Sequence, residues 1–197
     1  MSAASTTEYL RTALLVIDVQ HGLFAPTPAP AEDATVIERI NALSARARDS
    51  AVPVIFIQHE QASDGLVAGS PAWALDARLQ VEAHDRKIGK TTPDSFLHTS
   101  LGETLSTLGV QHLVVCGYST EFCVDSTVRR AAGLGYAVTI AADAHTSHDK
   151  VHATGIAIRT HHNATLAAIS SFGVRIAAID SAAISFDAVT ALASHNN

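Results

Sequence analysis

The stretch Leu113–Ala132, LVVCGYSTEFCVDSTVRRAA, decides how the rest of the chain is read. It opens on the apolar run Leu113–Cys116, passes through Gly117-Tyr118-Ser119-Thr120, and continues from about Glu121 with Val124, Val128 and Ala131 at helical spacing. That is strand, tight turn, helix, with Cys123 in the helix's first turn. A helix N-terminus carries partial positive charge and unpaired N–H groups, so a thiol there is expected to give up its proton more readily. The same N–H groups can hold a developing oxyanion. The competing reading is that Cys123 is a small packed residue, as most free cysteines are.

Upstream, Ala13–Val19, ALLVIDV, is apolar on both faces and broken only by Asp18, which suits a central parallel strand covered by helices. Pro26, Pro28 and Pro30 make a helix-free loop. Asp33 is placed to cap a helix over Ala34–Arg48, with Val36, Ile37, Ile40 and Leu43 on one face. Val52–Gln58 reads as the second strand, with His59 at its end and a Gly/Pro/Ser-bearing loop after it over Glu60–Ala72. Arg86–Lys90 reads as a short strand, and Leu101, Leu105 and Leu108 as a short helix stopped by Gly109.

Downstream, Ala137–Ala142 is a fifth strand with Asp143 after it. One long helix is expected over His152–Phe172, a last strand over Val174–Ile179 and a last helix over Ser181–Ala193. Residues 1–11 read as a loose arm. Strands alternating with helices imply an α/β fold of one domain over 1–197: a three-layer, doubly wound, mostly parallel six-stranded sheet. In such sheets ligands bind beyond the carboxyl ends of the strands, where the strand order reverses. The polar residues at those ends are Asp18, His59, Lys90, the 117–123 turn and Asp143. An aspartate in an apolar strand is costly to bury unless it is paired.

Hydrophobic residues make up 47% of the chain, enough for a full core. The formal net charge of −6, with no run of like charges, argues against nucleic acid or an anionic membrane surface as a partner. No apolar stretch reaches the length of a membrane span. Cys116 and Cys123 make no disulfide framework, and MSAASTTEYLRT has neither a basic n-region nor an apolar h-region. A cytoplasmic location is expected.

Several motifs mislead. Gly89-Lys90-Thr91 resembles the end of a phosphate-binding loop, but His84 stands where that loop needs its first glycine. Gly133-Leu134-Gly135 follows a helix, so it is a helix stop rather than a dinucleotide fingerprint. Glu121 and Asp125 flank Cys123 where a hydrolase nucleophile elbow has glycines. Eleven histidines invite a metal reading through Asp143, His145 and His148, or through His161 and His162, but no His-Glu-x-x-His spacing occurs.

Three separated motifs carry a resemblance to the isochorismatase-like cysteine hydrolases, the superfamily that includes nicotinamidases and N-carbamoylsarcosine amidase. Ala13–Gln20, ALLVIDVQ, resembles the first-strand motif; Lys90–Phe96, KTTPDSF, the Lys-x-x-x-Ser-Ala-Phe pattern; and Gly117–Val124, GYSTEFCV, the Gly-x-x-Thr-x-x-Cys-Val motif. Asp94 and Ser95 replace the usual Ser-Ala pair. The resemblance implies Asp18 as acid/base, Lys90 as catalytic lysine and Cys123 as nucleophile. It also implies a cis Tyr118–Ser119 bond, an oxyanion hole from the Ser119 and Cys123 N–H groups, and a homodimer or homotetramer. The implied chemistry is hydrolysis of a small amide, carbamoyl or lactam substrate through a thioester. Lys90 would favour the thiolate, and Asp18 would take its proton and pass it to the leaving nitrogen.

Nicotinamidases carry an Asp-x-His motif and further zinc-binding histidines after the second strand. Here that region reads QHEQASDGLVAGSPAW with His59 alone, so no cofactor is expected, with zinc or another divalent metal left open. Gln20, Phe24, His59, Trp73, Tyr118 and Phe122 are candidate pocket walls, each equally readable as packing. Three other readings stay open: a binding or regulatory module without turnover, an isochorismatase-type hydrolase of another small substrate, and a redox thiol protein using Cys116 and Cys123.

Overall fold

The computed structural model describes residues 9–62, 65–186 and 189–190. In chain order these form β1 (Tyr9–Leu10), β2 (Thr12–Ile17), α1 (His21–Phe24), α2 (Asp33–Asp49), β3 (Val54–His59) and β4 (Arg86–Lys90). There follow α3 (Leu101–Thr107), β5 (His112–Tyr118), a π-helical turn (Thr120–Val124), α4 (Asp125–Gly133) and β6 (Ala137–Thr146). The chain continues through α5 (Gly155–Ala167), β7 (Ile176–Ile179), a 3-10 turn (Ser181–Ala183) and β8 (Val189–Thr190).

The six-stranded sheet has the order β4-β3-β2-β5-β6-β7, and every neighbouring pair is parallel. The chain builds outward from β2 to β3 and β4, then crosses back to lay β5 on the other side of β2. The order therefore reverses between β2 and β5, and the crevice beyond their carboxyl ends is where such a sheet takes a ligand.

Strand β2 is buried at every position because both faces are covered. Ala13, Leu15 and Ile17 pack with Leu101 and Leu105 of α3, Val128 of α4 and Leu166 of α5. Leu14 and Val16 pack with Val36, Ile37, Ile40 and Leu43 of α2. Strand residues alternate faces, so a run apolar at successive positions feeds two cores at once. The doubly wound α/β fold expected from the sequence is the one observed.

Four elements differ from expectation. The long helix over His152–Phe172 is only α5, Gly155–Ala167. Thr154 stops it on the upstream side: its side chain accepts the Ala157 N–H at 3.1 Å as an N-cap. A last helix over Ser181–Ala193 does not form across its described part. A 3-10 turn gives way to extended chain whose Ile184 and Phe186 join the α2-side core, and Val189–Thr190 form β8. Positions 187–188 and 191–193 lie outside the described residues. Of the arm, Tyr9–Leu10 pair antiparallel with β8, and 1–8 lie outside the described residues. Finally β6 runs past Ala142 to Thr146, with a register shift against β5 between Val115 and Gly117, which sets His145 opposite Gly117.

Candidate active site

At the switch point the two central strands part. Asp18, directly after β2, sits at φ +51°, and its N–H donates to the Ile57 carbonyl at 2.9 Å. Gly117 in β5 sits at φ +114°, where a Cβ would lie 2.1 Å from the Ile17 carbonyl oxygen. Only glycine allows that approach. The Tyr118–Ser119 bond is cis. Residues 120–124 then form a π turn rather than the first turn of an α-helix, and Cys123 lies within it. Behind the turn, Asn163 Nδ2 donates to the Ala142 carbonyl, leaving Asn163 Oδ1 to accept from His145 Nε2 at 2.8 Å. His145 Nδ1 is then the acceptor for the Thr120 hydroxyl at 2.8 Å. This buried relay anchors the turn that carries the thiol.

Three segments meet here. Lys90 Nζ lies 2.7 Å from Asp18 Oδ2, with the two side chains 0% and 1% exposed. The same nitrogen lies 3.2 Å from Cys123 Sγ, 3.1 Å from the Thr92 carbonyl and 3.4 Å from His59 Nδ1. Asp18 Oδ1 is buried with no hydrogen-bond partner.

Burial raises Asp18 above the ordinary carboxylate range, against the pull of the Lys90 charge. Burial also pushes the Cys123 thiol up to about 12; the Asp18 charge adds to this and Lys90 opposes it. The expectation that a helix end and Lys90 would together acidify the thiol is thus corrected. Desolvation and the neighbouring carboxylate outweigh the ammonium, so the resting sulfur is a thiol with a base beside it. His59 is held below its ordinary value by burial and by Lys90, and stays neutral.

The hollow in front of these groups has a volume of about 390 Å³. Asp18, Ser119 and Cys123 line it, and of the candidate pocket walls so do His59, Tyr118 and Phe122. Gln20, Phe24 and Trp73 do not. Gln20 is fully buried and clamps the His59 peptide: its Oε1 accepts the His59 N–H at 2.8 Å, and its Nε2 donates to the carbonyls of His59 and Trp73. Phe24 packs edge-on against Tyr118 with ring centroids 5.6 Å apart. Trp73 meets Gln20 and Gln58 through its carbonyl.

Other lining residues went unnoticed in the sequence: Leu23 of α1, Leu66 and Ala72 of the loop after β3, and Pro93. Gly22 is the one signal that points to them. A Cβ there would lie 2.9 Å from Ala72 Cβ, so α1 and the loop can touch only at a glycine.

The remaining candidates are structural. Asp143 pairs with Arg39 at 3.1 Å and accepts the Ser181 N–H at 2.7 Å. His148 Nδ1 meets the Tyr118 hydroxyl at 2.8 Å. Asp94 accepts the Phe96 N–H and Ser95 meets Thr127, both turning away from the hollow to fix their own loop. Among the described residues no three His, Cys, Asp or Glu side chains converge to hold a metal ion. The donor set of a nicotinamidase-type zinc does not fit either, since His59 stands alone in the segment where that set has Asp-x-His and further histidines. Cys116 is fully buried in the α2-side core, whereas Cys123 packs against the opposite one, so the two sulfurs lie on different faces of the sheet. No helix among the described residues is long and apolar enough to cross a membrane.

A streptothricin hydrolase of Streptomyces noursei is 37% identical over 138 residues, which cover 70% of this chain and 50% of that protein. The chain thus spans about half the length of that relative. An uncharacterized isochorismatase family protein of Escherichia coli O157:H7 is 35% identical over 149 residues, covering 68% of this chain and 78% of that protein. A solved isochorismatase family protein superposes with a TM-score of 0.80 at 34% identity, covering 88% of this chain and 100% of that one. The isochorismatase domain model matches residues 12–175, from the first residue of β2 to the one before β7, and the chain belongs to the isochorismatase family.

Proposed function

We propose that the protein is a cysteine-dependent amidohydrolase that cleaves a C–N bond of a small amide, carbamoyl or lactam substrate. One observation carries the reading: Asp18, Lys90 and Cys123, brought from three distant segments, meet within 2.7 and 3.2 Å at the floor of a hollow. A thiol raised by burial is a poor nucleophile until its proton leaves. Asp18 Oδ2 is held by Lys90, and the unpartnered Oδ1 is the oxygen free to take that proton.

The steps then balance. Sγ forms a bond to the substrate carbonyl carbon as its proton passes to Asp18. The Ser119 and Cys123 N–H groups receive the oxyanion. As the tetrahedral adduct collapses, the C–N bond breaks and Asp18 returns the proton to the leaving nitrogen. Water then attacks the thioester with Asp18 again as base, releasing acid and thiol. Lys90 favours the ionised form of Asp18 against the pull of burial and offsets the charge that forms on sulfur. The likeness to a streptothricin hydrolase supports the hydrolase reading.

The test is ammonia or amine release from a panel of small amides, ureas and lactams, with and without chelator. Release that survives chelation and disappears in Cys123→Ser supports the reading. No release from any member of the panel contradicts it.

A further inference from the structure

Which acyl group the hollow admits follows from its charges, on the amidohydrolase reading above. Among the described lining residues the one carboxylate is Asp18, and it is matched by the ammonium beneath it. No arginine, second lysine or second carboxylate lines the wall among those residues. Leu23, Leu66, Ala72, Pro93 and the rings of Tyr118 and Phe122 supply an apolar surface. Beside Phe122, Lys150 and Glu121 are paired with each other at 3.4 Å, and Lys150 lies over the Phe122 ring at 5.8 Å.

His59 completes the picture. His59 Nδ1 faces the Lys90 nitrogen at 3.4 Å, the longest of that nitrogen's four contacts, and a proton on Nδ1 would point at a cation, which favours the tautomer with Nδ1 bare. The ring proton then sits on Nε2. Gln20 grips the His59 peptide from both sides, which fixes where the ring stands. A neutral N–H donor thus lies on a wall whose other described residues, the Gln61 amide and Ser119 among them, add no unpaired charge.

We propose that the site selects an uncharged acyl group bearing a hydrogen-bond acceptor for the His59 Nε2–H, and rejects amides that carry a carboxylate or an ammonium beside the scissile carbonyl. A charged substituent would lose its water and find no unpaired counter-ion among the described lining residues.

Two measurements separate this from the amidohydrolase reading. The first needs no turnover: the rates at which iodoacetamide and iodoacetate alkylate Cys123, each divided by its rate with 2-mercaptoethanol. The neutral reagent is expected to be favoured about tenfold or more; equal ratios, or preference for the anion, overturn the proposal. The second is kcat/KM for butyramide, succinamic acid and β-alaninamide, where the neutral amide is expected to lead by about tenfold. A charged amide turned over as well as butyramide overturns the proposal while leaving the hydrolase reading standing. No turnover of any amide removes the hydrolase reading, and the alkylation ratio still decides the charge preference. For the donor, His59→Ala should raise KM roughly three- to tenfold, the worth of one hydrogen bond, and His59→Gln should recover part of it. A loss in kcat with KM unchanged would mean that His59 acts on Lys90 instead of on substrate.

Discussion

Ile17 and Gly117 stand opposite one another in the β2–β5 register, so close that a Cβ on Gly117 would lie 2.1 Å from the Ile17 carbonyl oxygen. This contact lies at the ends of two central strands, immediately before Asp18 on one and the Cys123 turn on the other. Relieving it means moving backbone, since the facing atom is not the tip of a flexible side chain. Gly117→Ala is therefore expected to cost at least about 3 kcal/mol of stability and nearly all activity. Chemical denaturation and a substrate assay on the purified variant measure both; a variant within about 0.5 kcal/mol of the parent would contradict the close approach.

Asp18 and Lys90 act on the Cys123 thiol in opposite directions, Asp18 raising its pKa and Lys90 lowering it. In Asp18→Asn, alkylation of Cys123 should move to lower pH; in Lys90→Met it should move to higher pH. Lys90→Met also strands a buried carboxylate, at about 3–5 kcal/mol, so folding is checked alongside. Shifts of the same sign in both variants would place the sulfur outside the reach of one of them.

Two histidines make the fold acid-sensitive. His112 sits between Thr12 and Thr139, bonded to both, and burial lowers its pKa from 6.5 to about 4. His145, in the relay behind the nucleophile turn, is likewise lowered to about 4, with burial the largest cause. The unfolded chain takes up these protons near the ordinary histidine value, the folded one only near 4, so protonation favours unfolding. Their contribution is complete above about 6.5, fades as pH falls, and is gone below about 4. Denaturation midpoints across that window should rise with pH, and less steeply in His112→Gln. A flat profile would contradict the burial of these rings.

Cys116 is buried at 0% exposure, its thiol directed at the Leu15 carbonyl 3.4 Å away, and burial holds its pKa far above the ordinary thiol value. Cys116→Ala should keep activity within about twofold while losing roughly 1 kcal/mol of stability. Cys123→Ser should abolish turnover. Loss of turnover in Cys116→Ala with its fold intact would revive the redox reading.

The fold was legible because its signals are local and redundant. ALLVIDV reads as a doubly covered strand from its unbroken apolar run, and α2 from the spacing of Val36, Ile37, Ile40 and Leu43. Asp18, His59, Lys90, the 117–123 turn and Asp143 stood out as polar groups at strand ends, and the motif resemblance singled out Asp18, Lys90 and Cys123 among them. What stayed hidden depends on tertiary context. The rise in the Cys123 pKa comes from how deeply three segments bury it. Gln20 reads as a pocket wall until its amide is seen spanning the His59 peptide. The helix expected over 181–193 had an apolar pattern that the core takes up, in its described part, as extended chain through Ile184 and Phe186.

The claim on which the account depends is that Cys123 attacks carbon. Rapid quenching of the enzyme with a turned-over amide, followed by peptide mass spectrometry, tests it directly. The account expects the acyl mass on the peptide containing Cys123, formed in the first turnover and absent from Cys123→Ser. Steady turnover with no acyl group ever found on that peptide, or with the group on another residue, would contradict it.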